Sequence, residues 1–384
     1  MTQAAHTKRR NLAPLRHLPR SVALNYLRQA REATPGGSTA LLKALIGYAR
    51  GRLGPRAPFA DYPRGPGGHG IYRLGGDSDG VRVSIAGDWA SGTDEAAAVA
   101  RAMAAARPAF TIHLGDIYYV GDESEVRSSM LGEPASAYAP TLWPRGATGT
   151  FALNGNHEMY ARGAAYFGVL LPRLGLAAGR AQRASFFCLE NRHWRILALD
   201  TAYRSVGWPL FEELPFAPFA PPNDLSAAQL RWLDECVRPE EDSRGLLLLT
   251  HHPPWSDGRP SRVALQLRRC IRRPALWLFG HEHRLAIYDR YDCGGGLLVS
   301  GRNVGHGGMP VELSSTAPAA DAPPLLFTDL RRYPNDEGLE LGYNGYANLD
   351  FAGPELTIDY RDLNGEAVYR EQWRVSDGAP ASVG

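Results

Sequence analysis

The chain reads as an α/β fold, on three observations. Seven short, nearly continuous apolar runs are bounded by glycine and aspartate: Val81–Ala86, 110–114, 150–153, 194–199, 246–250, 276–279 and 297–300. Runs of this kind suit strands covered on both faces. Helical patterns lie between several of them, at 93–107 and 226–237. Alternation of strand and helix gives a sheet whose ligand crevice lies beyond the carboxyl ends of its strands. The third observation is that five runs end in a motif rich in carboxylate, amide, phenol or imidazole groups, placed at that crevice.

Taken in order, the first stretch is expected to hold two helices, over 21–31 and 38–50, separated by the breaker Thr34-Pro35-Gly36-Gly37. A proline- and glycine-rich stretch over 54–70 then leads to the body. The chain therefore divides into a basic helical arm with its linker, residues 1–66, and a main domain, residues 67–384. The helix at 226–237 has Ser226 in the N-cap position, with Leu225, Leu230, Leu233 and Val237 at near-helical spacing. Residues 208–222 set Trp208, Phe211, Phe216 and Phe219 among prolines that no regular helix or central strand tolerates. Such a loop either covers the crevice or caps the core. A second excursion occupies 314–324. From 346 to 375 apolar and polar residues alternate around Asn364-Gly365, as strands closing with a hairpin.

With 384 residues and 44% hydrophobic content, the chain can bury a large core in one or two domains. Its net charge of +2 conceals an uneven distribution. Residues 1–66 carry twelve Lys and Arg against Glu32 and Asp61, a net of +10, which leaves −8 for the remainder. Such an arm either meets an anionic partner or packs on the acidic body of the same chain, and the second is the simpler reading. Cys188, Cys236, Cys270 and Cys293 form no close pair and read as buried small hydrophobes. No apolar run is long enough to span a membrane. Lys8-Arg9-Arg10 is followed by Pro14, Arg16 and Pro19 rather than an apolar stretch, so no export signal is expected and the compartment is read as the cytoplasm.

The five motifs are Gly87-Asp88-Trp89, Gly115-Asp116-Ile117-Tyr118-Tyr119, Gly155-Asn156-His157-Glu158, His251-His252-Pro253 and Gly280-His281-Glu282-His283. Their side chains are donors that borderline and hard cations take, and their collection at strand ends points to a two-metal hydrolytic site. By strand alternation His281 and His283 share a face, while only one of the adjacent His251 and His252 points inward. His113, inside an apolar run, reads as a core histidine. His6, His17 and His69 read as solvated. Tyr118 and Tyr119 stand open between packing and ligation.

In order and spacing, these motifs resemble the calcineurin-like metallophosphoesterase superfamily, and within it the purple acid phosphatases, over roughly residues 80–375. The resemblance implies a four-layer αββα sandwich, two mixed β-sheets flanked by helices, preceded by the N-terminal helical arm. Most relatives open with Asp-x-His, whose histidine binds the first metal. Here Ala90 stands at that position, and Tyr119, three residues after Asp116, is implied as the compensating ligand of the purple acid phosphatase branch. By the resemblance the first metal takes Asp88, Asp116, Tyr119 and His283. The second takes Asp116, Asn156, His251 and His281, with His251 selected because the ligand stands two residues before proline. A phenolate at neutral pH needs a strongly Lewis-acidic ion, hence Fe(III) in the first position with Fe(II), Zn or Mn in the second.

The implied function is hydrolysis of a small-molecule phosphate monoester by metal-bound hydroxide. The alternatives are a phosphodiesterase of the same fold, or a non-catalytic scaffold with a basic binding arm. His157, beside Asn156, is the candidate to hold the phosphate or protonate the leaving group. Many purple acid phosphatases carry another histidine about nine residues after the His251 position. None occurs over 255–261, so Arg259, His252 or His306 takes its part.

Overall fold

The seven apolar runs form strands at Val81–Ala86, Phe110–His113, Gly149–Ala152, Trp194–Ala198, Gly245–Thr250, Ala275–Phe279 and Leu298–Val304. Five of them, from Phe110–His113 to Ala275–Phe279, are buried at every position, because both faces of their sheets are covered. These features come from a computed structural model that describes residues 54–63, 69–75, 80–135, 140–206, 223–311, 313, 323–334, 340–376 and 378–383. The helices expected at 21–31 and 38–50, the aromatic excursion at 208–222 and most of the excursion at 314–324 lie outside those residues.

Two mixed sheets face each other. The first runs Ile71–Arg73, Phe187–Glu190, Trp194–Ala198, Gly245–Thr250, Ala275–Phe279, Leu298–Val304, Leu285–Asp292, Leu325–Thr328. The second runs Ala379–Ser382, Ala367–Ser376, Glu355–Asp362, Gly345–Ala352, Val81–Ala86, Phe110–His113, Gly149–Ala152, Gly175–Leu176, Arg180–Ala181. The motif-bearing strands are parallel neighbours: Val83 opposes Phe110, Phe110 opposes Gly149, and Leu276 opposes Leu247. The terminal alternation becomes a three-stranded meander rather than one hairpin. Asn364-Gly365 turns its second corner and Gly353-Pro354 its first, and Leu349 pairs with Val83 to attach it to the second sheet.

Between the sheets lie Ile85, Ile112, Phe151, Leu247, Leu249, Leu276, Leu278 and Ile358, among others, each fully buried. Removing a side chain of this size from water stabilises by about 1.5–3 kcal/mol. The outer face of the first sheet is covered by a helix at Ala227–Trp232, which continues as a π-helical turn over Leu233–Val237, and by Arg262–Leu267. Asp94–Ala105 and Glu123–Ser129 cover the second. The layers are thus αββα. Ser226 caps its helix as expected, accepting from Gln229 N–H at 3.2 Å, and Thr93 caps the other, accepting from Ala96 N–H at 3.1 Å.

The described linker residues lie on the body. Phe59 stacks on Phe186 with ring centroids 5.7 Å apart, the Tyr62 hydroxyl donates to Phe186 O at 2.8 Å, and Ala57 N–H donates to Arg162 O at 2.9 Å. The four cysteines are free thiols. Cys188 and Cys293 are buried as expected, whereas Cys236 and Cys270 are half-buried, because one lies in the π-helical turn and the other beyond the end of Arg262–Leu267. Among the described residues no helix is long and apolar enough to cross a membrane.

Candidate metal centre

Asp88, Asp116 and Asn156 follow parallel strands of the second sheet, while His251 and His281 follow parallel strands of the first. Backbone bonds close the seam between these ends. Gly87 N–H donates to Val304 O, Asp88 N–H to Gly115 O and Gly280 N–H to His251 O, each at 3.0 Å. Asp88, Asp116 and His281 hold φ of 56°, 73° and 71°. A left-handed backbone at a non-glycine residue costs about 1–3 kcal/mol and persists only where its surroundings over-determine it. Here they do: Asp88 Oδ2 accepts from His281 N–H at 2.8 Å, Asp116 Oδ1 from His157 N–H at 3.0 Å, and Asp116 N–H donates to Glu158 Oε2 at 3.2 Å. Gly155 is required by space alone, since a Cβ there would run into Asp116 Oδ1.

Two donor clusters result. In the first, the Tyr118 hydroxyl lies 2.8 Å from Asp88 Oδ1, 3.2 Å from Asp116 Oδ2 and 2.9 Å from His283 Nε2. In the second, Asn156 Oδ1 lies 3.0 Å from His251 Nε2 and 3.1 Å from His281 Nδ1, and His251 Nε2 lies 3.4 Å from Asp116 Oδ1. Asp116 therefore turns one oxygen to each cluster.

The chemistry of these donors fits cations. Leu114 O can only accept, so the His251 Nδ1 3.0 Å away carries the proton, and the neutral ring presents an Nε2 lone pair to Asn156 Oδ1 and Asp116 Oδ1. Either a proton or a cation must lie among those three acceptors. Burial alone would lower the His251 pKa, but the Asp116 charge outweighs it and carries it up to about 9. Burial alone would raise Asp116, but His251 and His157 hold its carboxyl well below the usual range. A cation held by these donors would take the place of the His251 proton. Burial, together with the charges of Asp88 and Asp116, pushes the Tyr118 phenol well up.

Several residues sit otherwise than strand periodicity suggests. The alternation that admits only one of His251 and His252 ends at Thr250, the last residue of its strand. Both imidazoles consequently approach His281, with ring centroids 5.2 and 4.7 Å away, and His252 Nδ1 pairs with Thr201 Oγ1 at 2.9 Å. His281 and His283 lie between Ala275–Phe279 and Leu285–Asp292, outside any strand, and serve different clusters. Tyr119 brings its backbone to the site: its carbonyl accepts from His157 Nδ1–H at 2.6 Å and its N–H donates to Glu125 at 2.6 Å. It is the Tyr118 hydroxyl that reaches the carboxylates, where the resemblance implied Tyr119, three residues after Asp116. His113 is buried near Trp143 and Trp89, a core histidine, and desolvation lowers its pKa to about 4.

His157 and His283 keep about a fifth of their side chains exposed, at 23% and 20%, and His281 is exposed, so these three form the solvent-facing rim. Arg259 is exposed in a short hairpin, Trp255–Ser256 against Arg259–Pro260. His306 is buried, with its Nε2 2.8 Å from where a Cβ on Gly345 would sit. Among the described residues neither hydrogen-bonds to either cluster. Sequence reasoning did not single out Glu158, whose carboxylate accepts from Asp116 N–H and Gly155 N–H, or Glu125, which accepts from the N–H groups of Tyr119, Val120 and Asp122. Glu158 closes the third motif and Glu125 lies six residues after Tyr119, but a buried acid is indistinguishable in sequence from a solvated one.

Among solved structures, the anchor GAP50 of the inner membrane complex of Plasmodium has a TM-score of 0.46 at 12% identity, covering 77% of this chain and 89% of its own. The purple acid phosphatase PPD1 from yellow lupin (Lupinus luteus) seeds has a TM-score of 0.47 at 14% identity, covering 77% of this chain and 54% of its own. PhoD has a TM-score of 0.47 at 12% identity, covering 80% and 72%. No curated protein sequence matches the chain. None of these carries the assignment, which rests on a sequence-family match. The calcineurin-like phosphoesterase profile matches residues 81–285, from the first motif-bearing strand to just beyond His283. This chain belongs to the calcineurin-like phosphoesterase family.

Proposed function

We propose that the protein hydrolyses phosphate monoesters at a dinuclear metal centre, as a member of the purple acid phosphatase-like branch. The observation that carries this reading is Asp116, with one carboxylate oxygen toward each donor cluster. That arrangement suits two cations about 3.5–4 Å apart. The proposed first position takes Asp88, Asp116, His283 and a phenol from the Tyr118-Tyr119 pair. The second takes Asp116, Asn156, His251 and His281. A phenol ligand favours Fe(III) in the first position, with Fe(II), Zn or Mn in the second. When bound, the two ions acidify a water and neutralise charge on the phosphoryl oxygens.

The chain's own groups then orient the ester and manage its protons. The Nδ1–H bond of His157 to Tyr119 O fixes the tautomer and leaves Nε2 on the donor side, 3.8 Å from Asp116 Oδ2. To hold a phosphoryl oxygen or supply the leaving-group proton from Nε2, His157 must first take up a second proton, which burial opposes and the Asp116 charge favours. His252, beside His281, is the better placed of the three substitutes for the missing histidine, ahead of Arg259 and His306. Residues 1–66 are proposed as a separable basic arm, docked through residues 57–62.

The test is metal analysis followed by a panel of aryl and alkyl phosphate monoesters and diesters. Two ions per chain and preferential turnover of monoesters support the proposal. Preference for diesters transfers the activity to the phosphodiesterase reading. A fully loaded protein inert toward the whole panel refutes catalysis and leaves a scaffold.

A further inference from the structure

We infer that the cavity between the open edges of the two sheets, where Arg180 and Arg183 meet Tyr62, Tyr72 and His69, is a binding site for a small organic phosphate, separate from the metal centre. The inference does not depend on which ester, if any, is hydrolysed.

The cavity has a volume of about 370 Å³, toward the lower end of the roughly 300–1,000 Å³ typical of small-molecule sites. It lies between Ile71–Arg73, the outermost strand of the first sheet, and Arg180–Ala181, the outermost strand of the second. Two strands separate it from Gly245–Thr250, which leads to His251, and one from Gly149–Ala152, which leads to Asn156. None of its lining residues belongs to either donor cluster. Its walls are anchored by the fold. His69 O accepts from Trp232 Nε1–H and Gly70 O from Cys188 N–H, each at 2.7 Å. Opposite them, Arg180 pairs with Leu176 across adjacent strands, and Arg183 is flanked by buried Gln182 and Ala184. Gln182 is itself fixed, accepting from Ala152 N–H at 2.9 Å and donating to Ala152 O at 2.7 Å. The floor is aromatic and buried: Tyr62 stands edge-on to Phe186 at 5.0 Å, and Tyr72 lies beside Phe151 at 5.2 Å.

Charge selects the ligand. The Arg180 guanidinium lies over the Tyr72 ring, 5.1 Å from its centroid, and the Arg183 charge acts on both phenols. Burial raises the pKa of Tyr62 and of Tyr72, so neither brings a negative charge. No aspartate or glutamate lines the cavity. Among the described residues neither arginine has a carboxylate partner. That sets the two apart in a body of negative net charge, where Arg82, Arg127, Arg195, Arg244, Arg302 and Arg331 each pair with a carboxylate at 2.7–2.9 Å. Two guanidinium forks without a counter-ion suit a phosphate group, with a charge of about −1.5 to −2 at neutral pH, better than the single charge of a carboxylate. His69, expected to be solvated, is half-buried at the same cavity and offers its imidazole to the same ligand.

The experiment titrates the full chain, as purified, with phenylphosphonate, which has no ester bond to hydrolyse, and counts binding events by calorimetry. The double variant Arg180→Gln/Arg183→Gln is expected to bind one phenylphosphonate fewer per chain than wild type. Each single variant should weaken that event by roughly 10–100-fold, the loss of one hydrogen-bonded charge. Both arginines are exposed and outside the donor clusters, so metal content and melting temperature should stay at their wild-type values. Benzoate, with the same ring and a single charge, should bind at this site about tenfold more weakly or worse. Asp116→Asn, which is expected to lose its metal, should keep the event that the arginine pair controls. If Asp116→Asn does not fold, wild type and the double arginine variant decide the matter alone. Equal numbers of events with equal affinity in those two proteins overturn the inference. So does benzoate binding as tightly as phenylphosphonate, or a folded Asp116→Asn that binds none. Phosphoester turnover enters none of these readings, so an inert protein counts against the phosphoesterase proposal and leaves this one to the titrations.

Discussion

The Asn156 carboxamide donates from Nδ2 to the Tyr160 hydroxyl at 3.1 Å, across one turn of the short helix Asn156–Tyr160. That bond decides which end of the amide faces the site, and it turns Oδ1 toward His251 and His281. Tyr160→Phe should let the amide rotate and weaken the second metal position by roughly 10–100-fold. Chelator competition measures it. Unchanged affinity would mean that the amide is oriented by other contacts.

Gly155 tests the role of space. Its φ of −108° is open to any residue, but an added Cβ would displace Asp116 Oδ1. Gly155→Ala should lose metal from both positions, with a stability cost of about 1–3 kcal/mol for the overpacking. Retained metal with unchanged melting temperature would show that the seam can relax.

His157 and the ligands should separate by metal content. Asp116→Asn or His281→Ala is expected to lose metal together with hydrolysis. His157→Ala should keep both ions and slow turnover by roughly 10²–10⁴-fold. Loss of metal from His157→Ala would move it into the ligand set.

Acid stability should depend on Asp242. It pairs with Arg195 at 2.8 Å and Arg244 at 2.9 Å, and Arg195 also binds Glu190 at 2.7 Å. Burial raises its pKa, but Arg244 and Arg195 outweigh that and hold it below the usual value. A carboxyl depressed in the folded state contributes stability that is fully present above its unfolded pKa of about 3.9 and is lost as pH falls through the folded value. Asp242→Asn should therefore cost about 1–3 kcal/mol at pH 7 and flatten the loss of stability below about pH 4. Denaturant titrations at pH 3, 4 and 7 read both effects. Parallel wild-type and variant curves would exclude the pair as an acid-sensitive contact.

The linker contacts of Phe59 and Tyr62 set a limit for truncation. Removing residues 1–53 should leave metal content and turnover of a small aryl phosphate unchanged. Extending the deletion through residue 66 removes the aromatic contacts with Phe186 and Trp232 and should lower the melting temperature. Equal melting temperatures for the two truncations would show that the docking contributes little.

Strand positions were legible because a strand buried on both faces must be apolar throughout, as Leu246 to Leu249 and Leu276 to Phe279 are. The donor types were legible because Asp88, Asp116, Asn156, His251, His281 and His283 each stand just past such a run, where no packing reason calls for them. The helix start at Ser226 was legible from local capping chemistry. What only the tertiary structure decided was the direction of side chains beyond the last strand residue. There the period of two stops, and φ values such as those of Asp88, Asp116 and His281 are imposed by bonds from segments remote in sequence. That is why the approach of the Tyr118 hydroxyl to Asp88 and Asp116, where the resemblance implied Tyr119, the shared approach of His251 and His252, and the amide orientation of Asn156 were not read from the sequence: each depends on the closing of two sheets along one seam.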